Sequence, residues 1–189
     1  MNYYLPKTLE IRGRNFEIRS DFRAVLDAIA ALNDPELSTA EQAEACLRII
    51  YPERKSLPDQ VEALKKAMWF IGCGEERDGN APKRPKIMDW EQDFTLIVSP
   101  VNRVLGYDCR GCEYLHWWSF IAAYYEIGDC AFAVVTGIRN KQKRGKKLED
   151  WEKEYLRNNP QVVELKTRYT EDEKALIDDI LGGDEHEQF

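Results

Sequence analysis

One run limits the fold more than any other: Tyr114-Leu115-His116-Trp117-Trp118-Ser119-Phe120-Ile121-Ala122-Ala123-Tyr124-Tyr125, within a helix predicted over 113–127. It is apolar almost all round. A helix built from it has no face to give to water, so it belongs at the centre of the fold or in an interface. Trp117 and Trp118 stand about 100° apart on such a helix and cannot fill one pocket together. One of them is expected to pack on a neighbouring element. Trp117 and Trp118, with Phe22 and Phe120, are expected to anchor the fold.

The rest of the chain supplies partners for that helix. Residues 8–12 and 16–19 alternate apolar and polar, and Gly13-Arg14 suits a two-residue hairpin loop with glycine first. That loop sets Ile11 opposite Phe16 and Leu9 opposite Ile18, all on one face. A lone hairpin is marginal in water, so this face must pack on something. A first helix, capped by Ser20 or Asp21, carries Phe22, Val25, Leu26, Ile29 and Leu32 at helical spacing, and Asn33-Asp34-Pro35 stops it. A second spans 38–51, with Ser38 and Glu41 as a capping box. A third spans 58–71, with Val61, Leu64 and Met68 on one face.

Residues 72–87 hold glycines, prolines and charges with almost no apolar side chain, which reads as a linker or mobile loop. Asp89 then opens a helix with Trp90, Phe94, Ile97 and Val101 on one face; Pro100 is expected to kink or split it near Val98 and Ser99, and Gly106 closes it. After the apolar run, Gly128-Asp129 gives a break and a cap. The next helix exits through a basic stretch, and a short amphipathic helix with Leu148, Trp151 and Tyr155 ends before Pro160. A last helix is predicted over 170–181, with Leu176, Ile177, Ile180 and Leu181, before a tail. The organisation is therefore a mainly α chain with an N-terminal β-hairpin: 1–71 as hairpin plus helices, 72–87 as linker, 88–168 as helical core, and 169–189 as acidic helix and tail.

Length and content exclude several functions. The 189 residues suit one domain. Lys plus Arg number 27 against 34 Asp plus Glu, a net charge of −7. That balance speaks against nucleic acid as the main partner, because phosphate binding is driven by cations. No stretch reaches the ~20 apolar residues of a membrane span, and 1–6 does not read as a signal peptide. The cysteines are odd in number, 5, and read as reduced thiols. His116 and His186 are the whole histidine content, which leaves little for a histidine base or a multi-histidine metal site. No phosphate-binding glycine loop, dinucleotide fingerprint or nucleophile elbow occurs.

Several constellations could carry chemistry, and each also has a structural reading. Cys109 and Cys112 form a CxxC, with His116 four residues on. The three are candidate zinc ligands, with Cys73 or Cys130 for a fourth, but a single pair is weak evidence for a metal, and two small thiols in a loop before a buried helix is the preferred reading. The carboxylates at 75–78, 91–93, 171–173 and 178–179 sit in a loop, at helix starts or on charged faces, so no catalytic residue is assigned. Arg139, Lys141, Lys143, Arg144, Lys146 and Lys147 make a basic run. With an acidic stretch downstream, it reads as intramolecular pairing or a protein contact rather than nucleic-acid binding. Tyr124, Tyr125 and this run are the candidate partner-contact residues. No cofactor is expected.

The order of elements and several strings are similar to a known family. Ser20-Asp21-Phe22-Arg23 follows directly on the hairpin, an acidic helix start lies at 89–93, and Leu115-His116-Trp117-Trp118-Ser119-Phe120 precedes Gly137-Ile138-Arg139. Over 9–165 the chain resembles a family encoded by siphophages and prophages of Gram-positive bacteria, in the tail module near the tape-measure gene. Its members act as tail assembly chaperones. Cys109, Cys112 and the acidic end from Thr170 lie outside the shared pattern. The resemblance implies a non-enzymatic binding protein of the bacterial host cytoplasm. It would hold the tape-measure protein, alone or with other tail-assembly proteins, and be absent from the mature virion. Self-association stays open. Two alternatives are a structural tail component retained in the virion, and a small zinc-containing nucleic-acid-binding regulator using Cys109, Cys112, His116 and the basic run.

Overall fold

The computed structural model describes residues 4–75, 85–167 and 170–173. The architecture is mainly helical with an N-terminal hairpin of β1 (Thr8–Ile11) and β2 (Arg14–Glu17). Leu9, Ile11, Phe16 and Ile18 are all buried, so the hairpin turns the expected face inward. Its register differs from expectation. Leu9 pairs with Phe16 and Ile11 with Arg14. The loop is Arg12-Gly13 rather than Gly13-Arg14, and both loop residues have positive φ, 51° and 74°, as a type I′ turn requires. Arginine tolerates that conformation here because it is held from outside: its guanidinium pairs with Asp59 and Glu62. The shift is by two residues, so the faces are preserved.

Helices α1 (Phe22–Leu32), α2 (Thr39–Ile50) and α3 (Gln60–Ile71) follow, with a 3-10 turn at Arg54–Ser56. Asp21 caps α1, and the Ser38–Glu41 capping box opens α2 as expected. Asp59 caps α3. The buried residues of α3 are Ala63, Ala67, Phe70 and Ile71, whereas Val61 is 67 % exposed. Small alanines, not the larger Val61 stripe, let α3 approach the hairpin and α2.

Helix α4 (Trp90–Leu105) runs unbroken through Pro100, which is buried within it. The expected split does not occur, and the helix closes at left-handed Gly106 (φ 77°). Helix α5 is Trp117–Tyr125, shorter than predicted, with His116 as its cap. Helix α6 (Ala131–Lys143) is capped at Cys130 rather than Asp129 and continues into the basic run. Helix α7 (Asp150–Asn158) buries Glu152 and leaves Trp151 half exposed. Pro160 does not merely break the chain: it opens a one-turn helix α8 (Pro160–Val163). The predicted last helix is described only at its start, where Thr170 and Glu173 exchange capping hydrogen bonds. Leu176, Ile177, Ile180 and Leu181 lie outside the described residues, as do 76–84 of the proposed linker.

The two strings that carried the resemblance meet in space. The chain at 115–117 forms an antiparallel bridge with 20–22: Phe22 N–H donates to Leu115 O at 2.9 Å and Trp117 N–H to Ser20 O at 2.8 Å. Asp21 then does three jobs. One carboxylate oxygen caps α1 through Arg23 N–H, the other accepts Leu115 N–H at 2.9 Å, and both accept from the Arg23 guanidinium. Arg23 in turn donates to the carbonyls of Cys109 and Cys112, at 3.0 and 2.7 Å, which shapes the 109–112 loop. Phe22 stacks on Phe120 with centroids 4.7 Å apart and planes 7° from parallel, worth about 0.5–1.5 kcal/mol beyond area burial.

The tryptophan pair works across the same junction. The indole N–H of Trp117 donates to Ile71 O and that of Trp118 to Phe70 O, each at 2.9 Å. These are carbonyls of the last turn of α3, where helical partners run out. The two rings occupy different sites, as their angular separation requires, yet fasten the same helix end. Gly74, at φ 85°, lies under Trp118, where an added Cβ would come within 3.2 Å of the ring. One continuous hydrophobic core therefore runs from the hairpin through α1–α5 to Phe132. All four expected anchors, Trp117, Trp118, Phe22 and Phe120, belong to it.

Candidate functional site: a groove between two helices

The residues singled out for chemistry are spent on structure. His116 is buried. Its Nδ1 accepts Trp118 N–H at 3.0 Å, which places the ring proton on Nε2, 3.0 Å from Pro6 O. Burial holds its pKa below the ordinary 6.5. Cys109 is fully buried, and Cys112 donates its S–H to Cys109 O. His116 thus has neither ring nitrogen to offer the two thiols. Among the described residues no group of three His, Cys, Asp or Glu side chains is placed to hold a metal ion. Burial also drives the Cys46 and Cys73 thiols up to about 11, which suppresses the reactive thiolate.

The proposed contact residues divide. Arg139 does not belong to a surface at all. It is 3 % exposed and forms a bidentate pair with Asp93, itself 1 % exposed, at 2.7 and 2.9 Å. Its remaining N–H groups donate to the carbonyls of Ile87, Val162 and Val163. This uses all five guanidinium donors and ties α6 to the start of α4 and the end of α8. The spacing Phe132–Val135–Arg139 marks it as inward-facing on α6, a signal hidden by the lysines that follow. Lys141 pairs with Glu152 at 2.7 Å and with Glu149, so downstream acids neutralise part of the run. Lys143, Arg144, Lys146 and Lys147 are exposed. Tyr125 is 74 % exposed. Tyr124 is half-buried, its hydroxyl on Met88 Sδ and its pKa pushed up to about 12 by burial.

A different feature emerges between α1 and α4. An open groove of about 750 Å³ is floored by Leu26, Ile29 and Ala30 from α1 and by Met88, Trp90 and Phe94 at the start of α4. The large side chains among these are half-buried, so each shows apolar surface to the groove. Trp90 is held by an edge contact to Trp117 at 5.8 Å and a tilted contact to Tyr124 at 5.1 Å. One end is marked by Phe22, Arg23 and Arg110, the other by Asn33. Lys86, Asp27, Asp89 and Glu91 complete a rim of mixed charge. Asp89 caps α4, and Arg110 holds the Asp108 carboxyl below the ordinary carboxylate range through its hydrogen bonds. Such a groove, apolar on the floor and charged at the rim, suits the apolar face of a helix.

The sequence pattern of the bacteriophage Gp15 protein family matches residues 1–165. The chain belongs to that family. No curated protein and no solved structure matches it. The Gp15 match takes in the hairpin, the junction and both walls of the groove, and stops just after α8. In this Gp15 chain no described helix is long and apolar enough to cross a membrane. The α1/α4 groove was missed in the sequence because its walls are some sixty residues apart. The trace of it was α1 itself: Leu26 and Ile29 flank the Val25 and Ala28 that are buried, which widens the apolar stripe beyond what the core covers.

Proposed function

We propose that the chain is a tail assembly chaperone that holds a helical, apolar segment of the tape-measure protein during tail morphogenesis. The observation that carries this reading is the α1/α4 groove: apolar walls already positioned by the buried junction. Family membership gives the phage context, and the resemblance of the 20–23 and 115–120 strings to tail assembly chaperones of Gram-positive siphophages supports a place in the tail module. A long helical client exposes apolar faces before tube subunits enclose it, and a groove that offers a matching apolar surface keeps such a client soluble. The binding is reversible, takes place in the host cytoplasm, and leaves the mature virion without the chain.

The test is co-expression with the tape-measure protein of the same tail module. Wild-type chain is expected to keep the tape measure soluble and to co-elute with it. Leu26→Asp/Phe94→Asp is expected to lose the complex while its far-UV circular dichroism is unchanged. A tape measure that precipitates with either form, or a groove variant that holds it as well as wild type, would sink the reading. Finding the chain as a fixed component of purified virions would favour a structural tail component instead.

A further inference from the structure

We infer that a basic depression at the end of α2 is a docking site for a short acidic segment of a partner protein, which it takes by its carboxylates. The depression, of about 660 Å³, lies where α2 turns into the 3-10 helix at Arg54–Ser56. Its lining carries Arg19, Arg48, Arg54 and Lys55 against one carboxylate, Glu53. In a chain of net charge −7 this is a local reversal of sign. It shares no residue with the α1/α4 groove, and it stands independently of the chaperone reading.

The cations are held in place. Arg19 follows directly on the hairpin, and its backbone N–H donates to Ile50 O at 2.8 Å. Its guanidinium donates to Arg48 O and Ile49 O at 3.0 and 2.8 Å. One arginine therefore covers three carbonyls at the C-terminus of α2, so the negative end of that helix is screened from an approaching anion. Both guanidinium bonds leave from one terminal nitrogen, which keeps the donors on the other two for a ligand. Tyr51 fixes the chain that follows: it is buried, and its hydroxyl donates to Ala63 O at 2.9 Å. The turn bearing Arg54 and Lys55 is thereby set across the depression from Arg19.

Arg54 identifies the ligand. A terminal nitrogen of its guanidinium pairs with Glu44 Oε2, while Arg48 reaches the other oxygen of the same carboxylate at 3.4 Å. One carboxylate thus already bridges two guanidiniums here, so their separation matches the span of that group. Arg54 Nε is buried and has no hydrogen-bond partner, the one such side-chain atom among the described residues. A buried donor without an acceptor costs about 1–3 kcal/mol, and more where the group is charged, so such an atom in a native protein calls for an ion or another acceptor. A carboxylate entering the depression supplies one once the Arg54 side chain turns toward it. Nε and a terminal nitrogen then bind its two oxygens together, with Arg19, Arg48 and Lys55 beside it for the neighbouring carboxylates of the same segment. A short segment suits the place better than nucleic acid. The patch covers one helix end and one turn, whereas a duplex would extend past it over a surface that is acidic in balance.

The probe is a fluorescein-labelled octaglutamate peptide, titrated with the full chain at low ionic strength and followed by fluorescence anisotropy. Wild type is expected to bind it and to release it as salt is raised. Arg48→Glu/Lys55→Glu is expected to weaken binding about tenfold or more; both side chains are exposed, so the fold stands. Lys146→Glu/Lys147→Glu makes the same change of net charge in the basic run after α6, and is expected to leave the affinity within about twofold of wild type. Arg54→Lys keeps the charge and removes the Nε donor, and is expected to weaken binding about threefold or more. No binding by wild type, equal losses from the two double reversals, or full binding by Arg54→Lys would each overturn the site. Inorganic phosphate and a DNA duplex serve as competitors at matched charge and ionic strength. Displacement by unlabelled octaglutamate and by neither of these supports an acidic protein segment; displacement by either one as effective as by octaglutamate overturns it.

Discussion

The junction of 20–23 with 114–118 and the groove beside it are built on the same helix, α1, yet they follow opposite rules. At the junction a carboxylate, an imidazole, a guanidinium and two indoles each have named partners, so one arrangement is selected against all others. A few ångströms on, Leu26, Ile29, Met88 and Phe94 carry apolar surface that nothing in the described chain covers. The first arrangement costs specificity of sequence and returns rigidity. The second keeps surface in reserve, and it stays open because the junction and the Asp93–Arg139 pair hold its walls apart. Rigid walls are what let a half-exposed groove persist without collapsing on itself.

The largest break in that contrast should come from the ion pair under α4. Arg139→Met strands a buried carboxylate and is expected to cost about 3–5 kcal/mol in urea unfolding; Asp93→Leu/Arg139→Met should recover most of it, because an apolar pair needs no desolvation repaid. Next comes Asp21→Ala, which removes the cap of α1, about 1 kcal/mol, and orphans Leu115 N–H, about 1–3 kcal/mol. A loss of about 2–4 kcal/mol is expected by the same measurement, and a loss below about 1 would mean the junction is dispensable. His116 sets a smaller, pH-dependent effect. Its pKa is lowered by burial, so below the ordinary 6.5 the unfolded chain takes up a proton that the folded chain refuses. Its contribution is complete above that value and declines as pH falls beneath it, by at most about 1.4 kcal/mol per pH unit. His116→Asn keeps a capping acceptor and should flatten the difference between unfolding midpoints at pH 7.5 and pH 5. The smallest effect belongs to the groove: Leu26→Gln is expected to change stability by about 1 kcal/mol or less, since a half-buried leucine gives up only part of the ~2 kcal/mol of full burial.

The legible parts of this fold were those written in neighbouring residues. The hairpin face, the caps at Asp21, Ser38 and Gly106, and the central place of Trp117 and Phe120 all follow from local spacing. What local spacing hid was decided from far away. The hairpin register turned on Arg12, held at positive φ by acids of α3. The start of α5 turned on Asp21, whose bond to Leu115 N–H pulls 114–116 out of the helix and leaves a histidine, an unusual cap, at its end. Arg139 sat in a run of cations and read as one of them, until its distance from Asp93 in space showed which face of α6 it occupies. The groove was hardest, because it is a space between elements and no residue names it.

The bond from Leu115 N–H to Asp21 also bears on how the chain is made. It joins residues 94 apart in sequence, and the anchors on α3 come from Trp117 and Trp118 as well. At about 5–20 residues per second, a ribosome takes roughly 5–20 s between delivering the aspartate and delivering its partners. During that interval the hairpin, α1 and α3 are present without the strand and the two indoles that lock them together. A nascent chain stalled or truncated before Trp117 thus lacks both indole anchors on α3 and the backbone bridge to the start of α1, so the order of synthesis leaves the knot's last residues to lock elements made a hundred residues earlier.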